Sequence, residues 1–380
     1  MNLFLLFIVI MVLWGARIHG HGDNFEGYLD HDHTTRINGV FILIVFYAHI
    51  RSYMPYNPAW DGVMHHVATG LGQLMVALFL FYSGFGVAHS LAHKPGYVHT
   101  MPLKRVAVTW VNFAIAQVLF IIMNLSLSRP FTPAQTAWAF LGWKSIGSSS
   151  WYIFAILVLY VLTWLAFSIF RNSPWLAFIL NCVLVGGFTV FMWHFKGSAT
   201  YTYNTLCCYL LGMCYCLARE HFERVYRRTW GYVSALLITA ALFVLTTKLD
   251  HLSFLVFELE AMLFCLLVVQ ITLFIHLNNP VLHWFGKHLF WVYVLQRLPM
   301  LALRELGMAD TAPYVYALTC FAATVGLAWL MARLTAPLDA KLAAWSKTWA
   351  EYCTKREKEL TPSRGERPDD KSNVSRYGVQ

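Results

Sequence analysis

Charge is what this sequence has least of. Only 12% of its 380 residues are Asp, Glu, Lys or Arg, where a soluble domain carries about 25%. With 58% of the chain hydrophobic, there is too little polar material to cover a water-facing surface, and a soluble globular protein is excluded. Acidic residues are the scarcer sign, 19 against 28 Lys and Arg, for a net charge of +9. In a membrane protein that excess marks loops kept on the cytoplasmic side, so no nucleic-acid partner is expected. Metal-ligand spacings are missing too. Most of the eight cysteines lie in apolar runs, and Cys214-Tyr215-Cys216 has no second Cys/His pair beside it, so these read as small buried residues. The sequence shows no internal repeat and no soluble catalytic domain.

What the chain has in quantity is apolar runs. They lie at roughly 1–16, 37–53, 71–92, 106–127, 151–170, 174–195, 202–218, 230–247, 254–276, 281–301 and 312–334, near the ~20 residues a helix needs to cross a bilayer. The fold class that follows is all-α, a polytopic transmembrane bundle of about ten to eleven helices with membrane lipids around it. Residues 1–33 read as an extra helix and a His/Asp-rich loop, 34–336 as the membrane domain, and 337–380 as a charged tail whose end is disordered. Orientation follows the basic residues. Lys94, Lys104 and Arg105, then Arg219, Arg224, Arg227 and Arg228, then Lys341, Lys347, Lys355, Arg356 and Lys358 fall on one side, which should be cytoplasmic. This places the C-terminus in the cytoplasm of a cell (inner) membrane protein. The first run is short and Arg17 follows it, without the basic start and cleavage site of a signal, so it is read as a retained helix.

One run carries an ionisable ring deep within it. Residues 38–49 are apolar from Gly39 to Ala48 and end in His49. Such a group usually faces a bundle interior or a wet cavity. Asn38 lies eleven residues before His49, about three helical turns and about 16 Å away, so the two share a face. Arg36 falls on a different face. A polar group at the mouth and an imidazole deep in the membrane, on one line, suit a tunnel that admits a donor from inside.

Four motifs carry a resemblance. Arg36-Ile37-Asn38-Gly39 with the run ending in His49 resembles the opening helix of the acyltransferase 3 family. Leu78-Phe79-Leu80-Phe81-Tyr82-Ser83-Gly84-Phe85-Gly86-Val87 is similar to its Phe-rich Ser-Gly-Phe/Tyr signature. Trp143-Lys144-Ser145-Ile146-Gly147 with Trp151-Tyr152-Ile153-Phe154 resembles its Trp-Tyr/Phe helix start, and Phe290-Trp291-Val292-Tyr293-Val294-Leu295-Gln296-Arg297-Leu298-Pro299 its penultimate helix. The ordered match spans most of residues 34–335. The resemblance implies a membrane O-acyltransferase that moves acyl groups, commonly acetyl from acetyl-CoA, onto hydroxyls of glycans, peptidoglycan, lipids or small molecules. The acyl-CoA is a co-substrate, with no cofactor bound permanently. Three positions depart from the pattern. Asn38 stands where the family usually has arginine, Lys104-Arg105 are adjacent where the basic pair is usually spaced, and Gln296 replaces a common histidine.

The residue chemistry then assigns roles. His49 is expected to take the proton of an acceptor hydroxyl as general base, or to carry the acyl group transiently. Lys104 and Arg105, with Arg36 and Asn38, are expected to hold the donor and its phosphates. Arg297 is expected to stabilise the developing oxyanion, with Tyr293 and Gln296 on its face. Glu258, or Glu260 beside it, is expected to orient His49 or pair with Arg297. Tyr293, Gln296, Trp151 and Tyr53 are expected to line the acceptor site or tunnel. Ser83-Gly84 reads as close helix packing, not as a nucleophile. His19, His21, His31 and His33, with Asp23, Asp30 and Asp32, form a polar cluster without clean ligand spacing, and no metal is assigned. His65-His66, beside Trp60 and Asp61, is expected in an outward-facing loop, where it could meet an acceptor glycan. Two other functions compete: a transporter of a glycan or small metabolite with His49 and Glu258 as a proton relay, and a non-catalytic sensor or assembly partner. The acceptor, the acyl group and the oligomeric state are not readable from the sequence.

Overall fold

The structure, a computed structural model, describes residues 1–20 and 27–360. His21 and Asp23 of the polar cluster, the Lys358 side chain and the tail from Thr361 lie outside the described residues. The chain runs α1 (Asn2–Leu13), β1 (Arg17–Ile18), α2 (His31–Ile50), α3 (Pro58–Leu71), α4 (Leu74–His93) and α5 (Tyr97–Met101), then a π-helical turn (Pro102–Ala107) into α6 (Val108–Ser126). It continues α7 (Pro133–Phe140), α8 (Trp151–Ile169), α9 (Pro174–Lys196), α10 (Cys207–Leu217), α11 (Arg219–Tyr226), α12 (Thr229–Leu249), α13 (Phe254–Thr272) and β2 (Ile275–His276). It ends with α14 (Pro280–Lys287), α15 (Leu289–Leu295), α16 (Arg297–Glu305), α17 (Met308–Thr311) and α18 (Pro313–Leu360).

Among the described residues, seven helical stretches are long and apolar enough to cross a membrane. They are α4, residues 97–126, α8, α9, residues 229–252, α13 and residues 313–357. The other four apolar runs form helices of a different kind. α1 is about 18 Å long, well short of a ~30 Å hydrocarbon core. α2 has 20 residues, but its first turns carry His31, Asp32, His33 and Arg36. α10 has 11 residues. The last run is broken at His288 and Gln296 into α14, α15 and α16. Pro299 accounts for the second break, because it has no N–H to donate to Leu295.

Helix starts follow local chemistry. The Asn57, Thr132 and Asn279 side chains each accept from a backbone N–H of the following turn, with proline next in sequence. α18 continues through Pro337, where the tail was expected to begin. Its polar end packs on the start of the 97–126 span: Ser346 Oγ donates to the Thr100 carbonyl, His99 meets Glu357 at 3.2 Å, and Arg171 pairs with the same carboxylate.

α4 is the most buried of the spanning helices and packs against α2, α10 and α13. Backbone contact makes two crossings tight. A Cβ on Gly84 would strike the Tyr209 carbonyl and one on Gly212 the Phe81 carbonyl, at the α4–α10 crossing. Gly39 and Gly286 likewise sit against Leu282 and Thr35 backbone, at the α2–α14 crossing. Small residues let membrane helices approach this closely. Gly39→Ala should therefore cost about 1–3 kcal/mol or more. An earlier thermal exposure of the buried thiols Cys208 and Cys265 to a thiol-reactive dye, in detergent, would report it.

The two short strands pair antiparallel, Arg17 opposite His276. His19 and His33 both lie against His276, ring centroids 4.3 and 4.7 Å away. Burial, with His19 alongside, lowers the pKa of His276. Among the described residues, no three His, Cys, Asp or Glu side chains are arranged to hold a metal ion. The stretch around His65-His66 is helix α3 rather than a loop. It buries Asp61, which accepts from the Asn57 amide.

Candidate active site

α2 sets the axis of the site. It starts at His31, so Arg36 lies inside the helix, two residues before Asn38 and on a different face. Asn38 and His49 face two separate cavities toward opposite ends of this helix.

The His49 cavity measures about 400 Å³. Arg297, at the first turn of α16, lines it with His49, as do Trp151 and Phe154 at the start of α8. Lys196 closes α9 and lines the same space, with Tyr201 and Thr202 just after it. The remaining wall is the loop before α8, which contributes Trp143, Ser145, Ser148, Ser149 and Ser150. Gly142 and Gly147 turn this loop with positive φ of 76° and 116°, a conformation glycine adopts without steric cost. Ser145 Oγ donates to the Ser148 carbonyl, and Gln117 holds the Ser148 hydroxyl from α6. The loop is thereby pinned to the bundle. His49 Nδ1 is buried and has no hydrogen-bond partner among the described residues. The Arg297 guanidinium is fixed by Tyr53, whose hydroxyl accepts from Nε at 2.9 Å and from Nη2 at 2.6 Å.

The second cavity, about 760 Å³, opens at the other end. Asn38, Lys104 and Arg105 line it together, joined by Lys94, Arg219 and His89. Lys104 and Arg105 sit in the π-helical turn, a feature frequent at functional sites. Arg105 donates to the Tyr97 hydroxyl at 2.8 Å and lies over the Tyr160 ring. The Tyr160 hydroxyl meets Ser83 Oγ at 2.7 Å. Arg219 donates to Glu223 at 2.6 Å and lies over the Tyr28 ring. Burial opposes its charge, but the Glu223 hydrogen bond and the neighbouring Tyr28 outweigh that, and its pKa is raised.

Between the cavities stand three buried rings, Phe79, Tyr152 and Tyr293. Phe79 lines the basic cavity and meets Tyr152 edge-on at 6.5 Å. Tyr152 meets Tyr293 at 5.3 Å, and Tyr293 lies 6.3 Å from the His49 ring. The expected tunnel is thus two chambers with an aromatic partition.

The remaining expected residues fall elsewhere. Arg36 does not line the basic cavity, and its Nε is buried without a partner among the described residues. Gln296 is fully buried and donates to the Tyr293 carbonyl, outside both cavities. Glu258 accepts from the Cys207 amide at 2.7 Å, at the α10–α13 contact. It therefore neither orients His49 nor pairs with Arg297. Lys196, Tyr201 and the serine run were missed as site residues. Lys196 ends an apolar helix and reads as an interfacial anchor until α9 is folded against α8. Arg219 was visible only as one of four loop arginines.

A family model described as an acyltransferase domain matches residues 37–333. No curated protein and no solved structure matches the chain. The matched region starts at the helix bearing His49 and ends within α18, so it holds every residue of both cavities except those just before Ile37. By the extent of that match, this chain belongs to the acyltransferase 3 family and is a membrane acyltransferase.

Proposed function

We propose that the protein takes an acetyl group from acetyl-CoA at the basic end of the bundle and passes it to a hydroxyl of a glycan or lipid-linked glycan at the His49 end. The basic end is the cytoplasmic one, with the C-terminus, in a cell (inner) membrane. One observation carries this reading: a cationic cavity and a histidine cavity lie toward opposite ends of one helix, parted by three aromatic rings. Lys94, Lys104, Arg105 and Arg219 suit the phosphates of the donor, with Asp30 the one carboxylate among the lining residues. The slender thioester arm passes the partition while the phosphates stay outside it.

At His49 the acceptor hydroxyl gives up its proton to the imidazole as its oxygen attacks the thioester carbonyl. Arg297, held by Tyr53, faces the oxygen that becomes negative. The C–S bond then breaks, an ester remains on the acceptor, and the proton passes from the imidazole to the departing thiolate. Glu258, bound to the Cys207 amide, is not placed to complete a relay with His49, which weighs against the transport alternative.

Proteoliposomes given radiolabelled acetyl-CoA test the proposal. Label should appear on an added glycan, or as acetate where no acceptor is present. Lys104→Ala with Arg105→Ala should raise KM for the donor about tenfold or more and change kcat less. A protein that turns over neither acetyl-CoA nor longer acyl-CoA donors is not this enzyme. A double variant with unchanged KM and lower membrane yield would make the pair a topological anchor.

A further inference from the structure

The walls of the His49 cavity point to the class of acceptor. We propose that the acceptor is an anionic glycan, a sugar chain that carries a carboxylate or phosphate next to the hydroxyl being acylated. This rests on the acyltransferase reading and sharpens it.

Two cations line the cavity, Lys196 and Arg297, and no carboxylate does. Among the described residues neither is in a salt bridge. Arg297 is committed to Tyr53 beside His49. Lys196 is different. Its ammonium donates to the Trp143 carbonyl at 2.8 Å and sits 3.7 Å from the centre of the Trp143 ring. A carbonyl and a ring face hold a cation in place without neutralising it, and an ammonium has three N–H donors. Lys196 therefore keeps donors for a ligand. A positive wall of this kind attracts an anion more strongly than a neutral hydroxyl.

The other walls suit sugar. Trp151 and Tyr201 stand nearly perpendicular, ring centres 6.0 Å apart, which gives a corner for a pyranose face. Ser149, Ser150 and Thr202 supply hydroxyl groups around it. An acidic sugar would stack in this corner with its anion on Lys196 and a hydroxyl turned to His49.

Direct binding tests this without turnover. Three probes are titrated into the full-length protein in detergent: a tetrasaccharide with alternating glucuronate residues, its carboxyl-reduced counterpart, and that neutral form bearing one phosphate. Either anionic probe should bind about tenfold or more tighter than the neutral one, with a margin that shrinks as salt rises. Which anionic probe wins identifies the anion. Lys196→Gln should erase the margin and Lys196→Arg should keep most of it. Equal affinity for charged and neutral probes, no binding of any probe, or a margin that survives in Lys196→Gln would each overturn the proposal. His49-dependent consumption of labelled acetyl-CoA is scored in parallel. Its loss would refute the acyltransferase reading, while binding still decides the anion preference.

Discussion

His49→Ala should remove acyl transfer while leaving the protein folded in the membrane. General base catalysis contributes about 10²–10⁴-fold, and a covalent acyl carrier would cost at least as much when deleted. Turnover of labelled acetyl-CoA in proteoliposomes should therefore fall by about 10² or more. Folding should survive for a local reason. Among the described residues His49 Nδ1 has no hydrogen-bond partner, and the ring lines a cavity, so alanine orphans no buried group. The thiol-exposure melt described for Gly39→Ala would verify this. The same assay separates the two roles of the imidazole. A base leaves no label on the protein, whereas an acyl carrier leaves label that rapid denaturation traps on wild type and not on the variant. A variant with full turnover would remove His49 from the chemistry altogether.

Arg297→Ala should be the next largest loss. Removing one donor to a developing oxyanion costs about 10²–10³ in kcat, with little change in KM for the donor. Arg297→Lys keeps the charge but not the planar fork that Tyr53 holds at two points. It should recover only part of the rate. Tyr53→Phe, which leaves the arginine in place and frees it to move, should lower kcat by about tenfold. The alternative is that Arg297 only braces α16, since among the described residues Tyr53 is its partner and no carboxylate is. Bracing alone predicts a lowered melting point in Arg297→Ala with normal turnover in the protein that remains folded. A kcat loss at unchanged melting point is the outcome expected here.

Part of this site was legible before any fold was known. Asn38 and His49 were placed on one face because eleven residues make nearly three whole turns. Trp151 and Arg297 stood near the ends of apolar runs, where side chains reach an open space. Glu258 misled for the opposite reason. A carboxylate early in an apolar helix looks functional, yet here it accepts from a backbone amide at the start of α10, a partner 51 residues away that no local pattern announces. Arg36 was read on a different face, about 200° around the helix from Asn38, and it does not line the basic cavity. Lys196 went unassigned because a lysine at a helix end is ordinary until its neighbours are known.

The helical class and its membrane setting were written in the composition, since backbone groups in hydrocarbon must pair within their own segment. The line from Asn38 to His49 came from periodicity alone. Tertiary structure decided what no periodicity can carry. It brought the Lys196 end of α9 and the serine loop around His49, set Arg219 of α11 beside Lys104 and Arg105, and stacked Phe79, Tyr152 and Tyr293 into a partition. It also broke the expected span 281–301 at Gln296, which puts Arg297 at the start of a new helix. These are contacts between segments far apart in the chain, which the spacing of residues along any one segment does not contain.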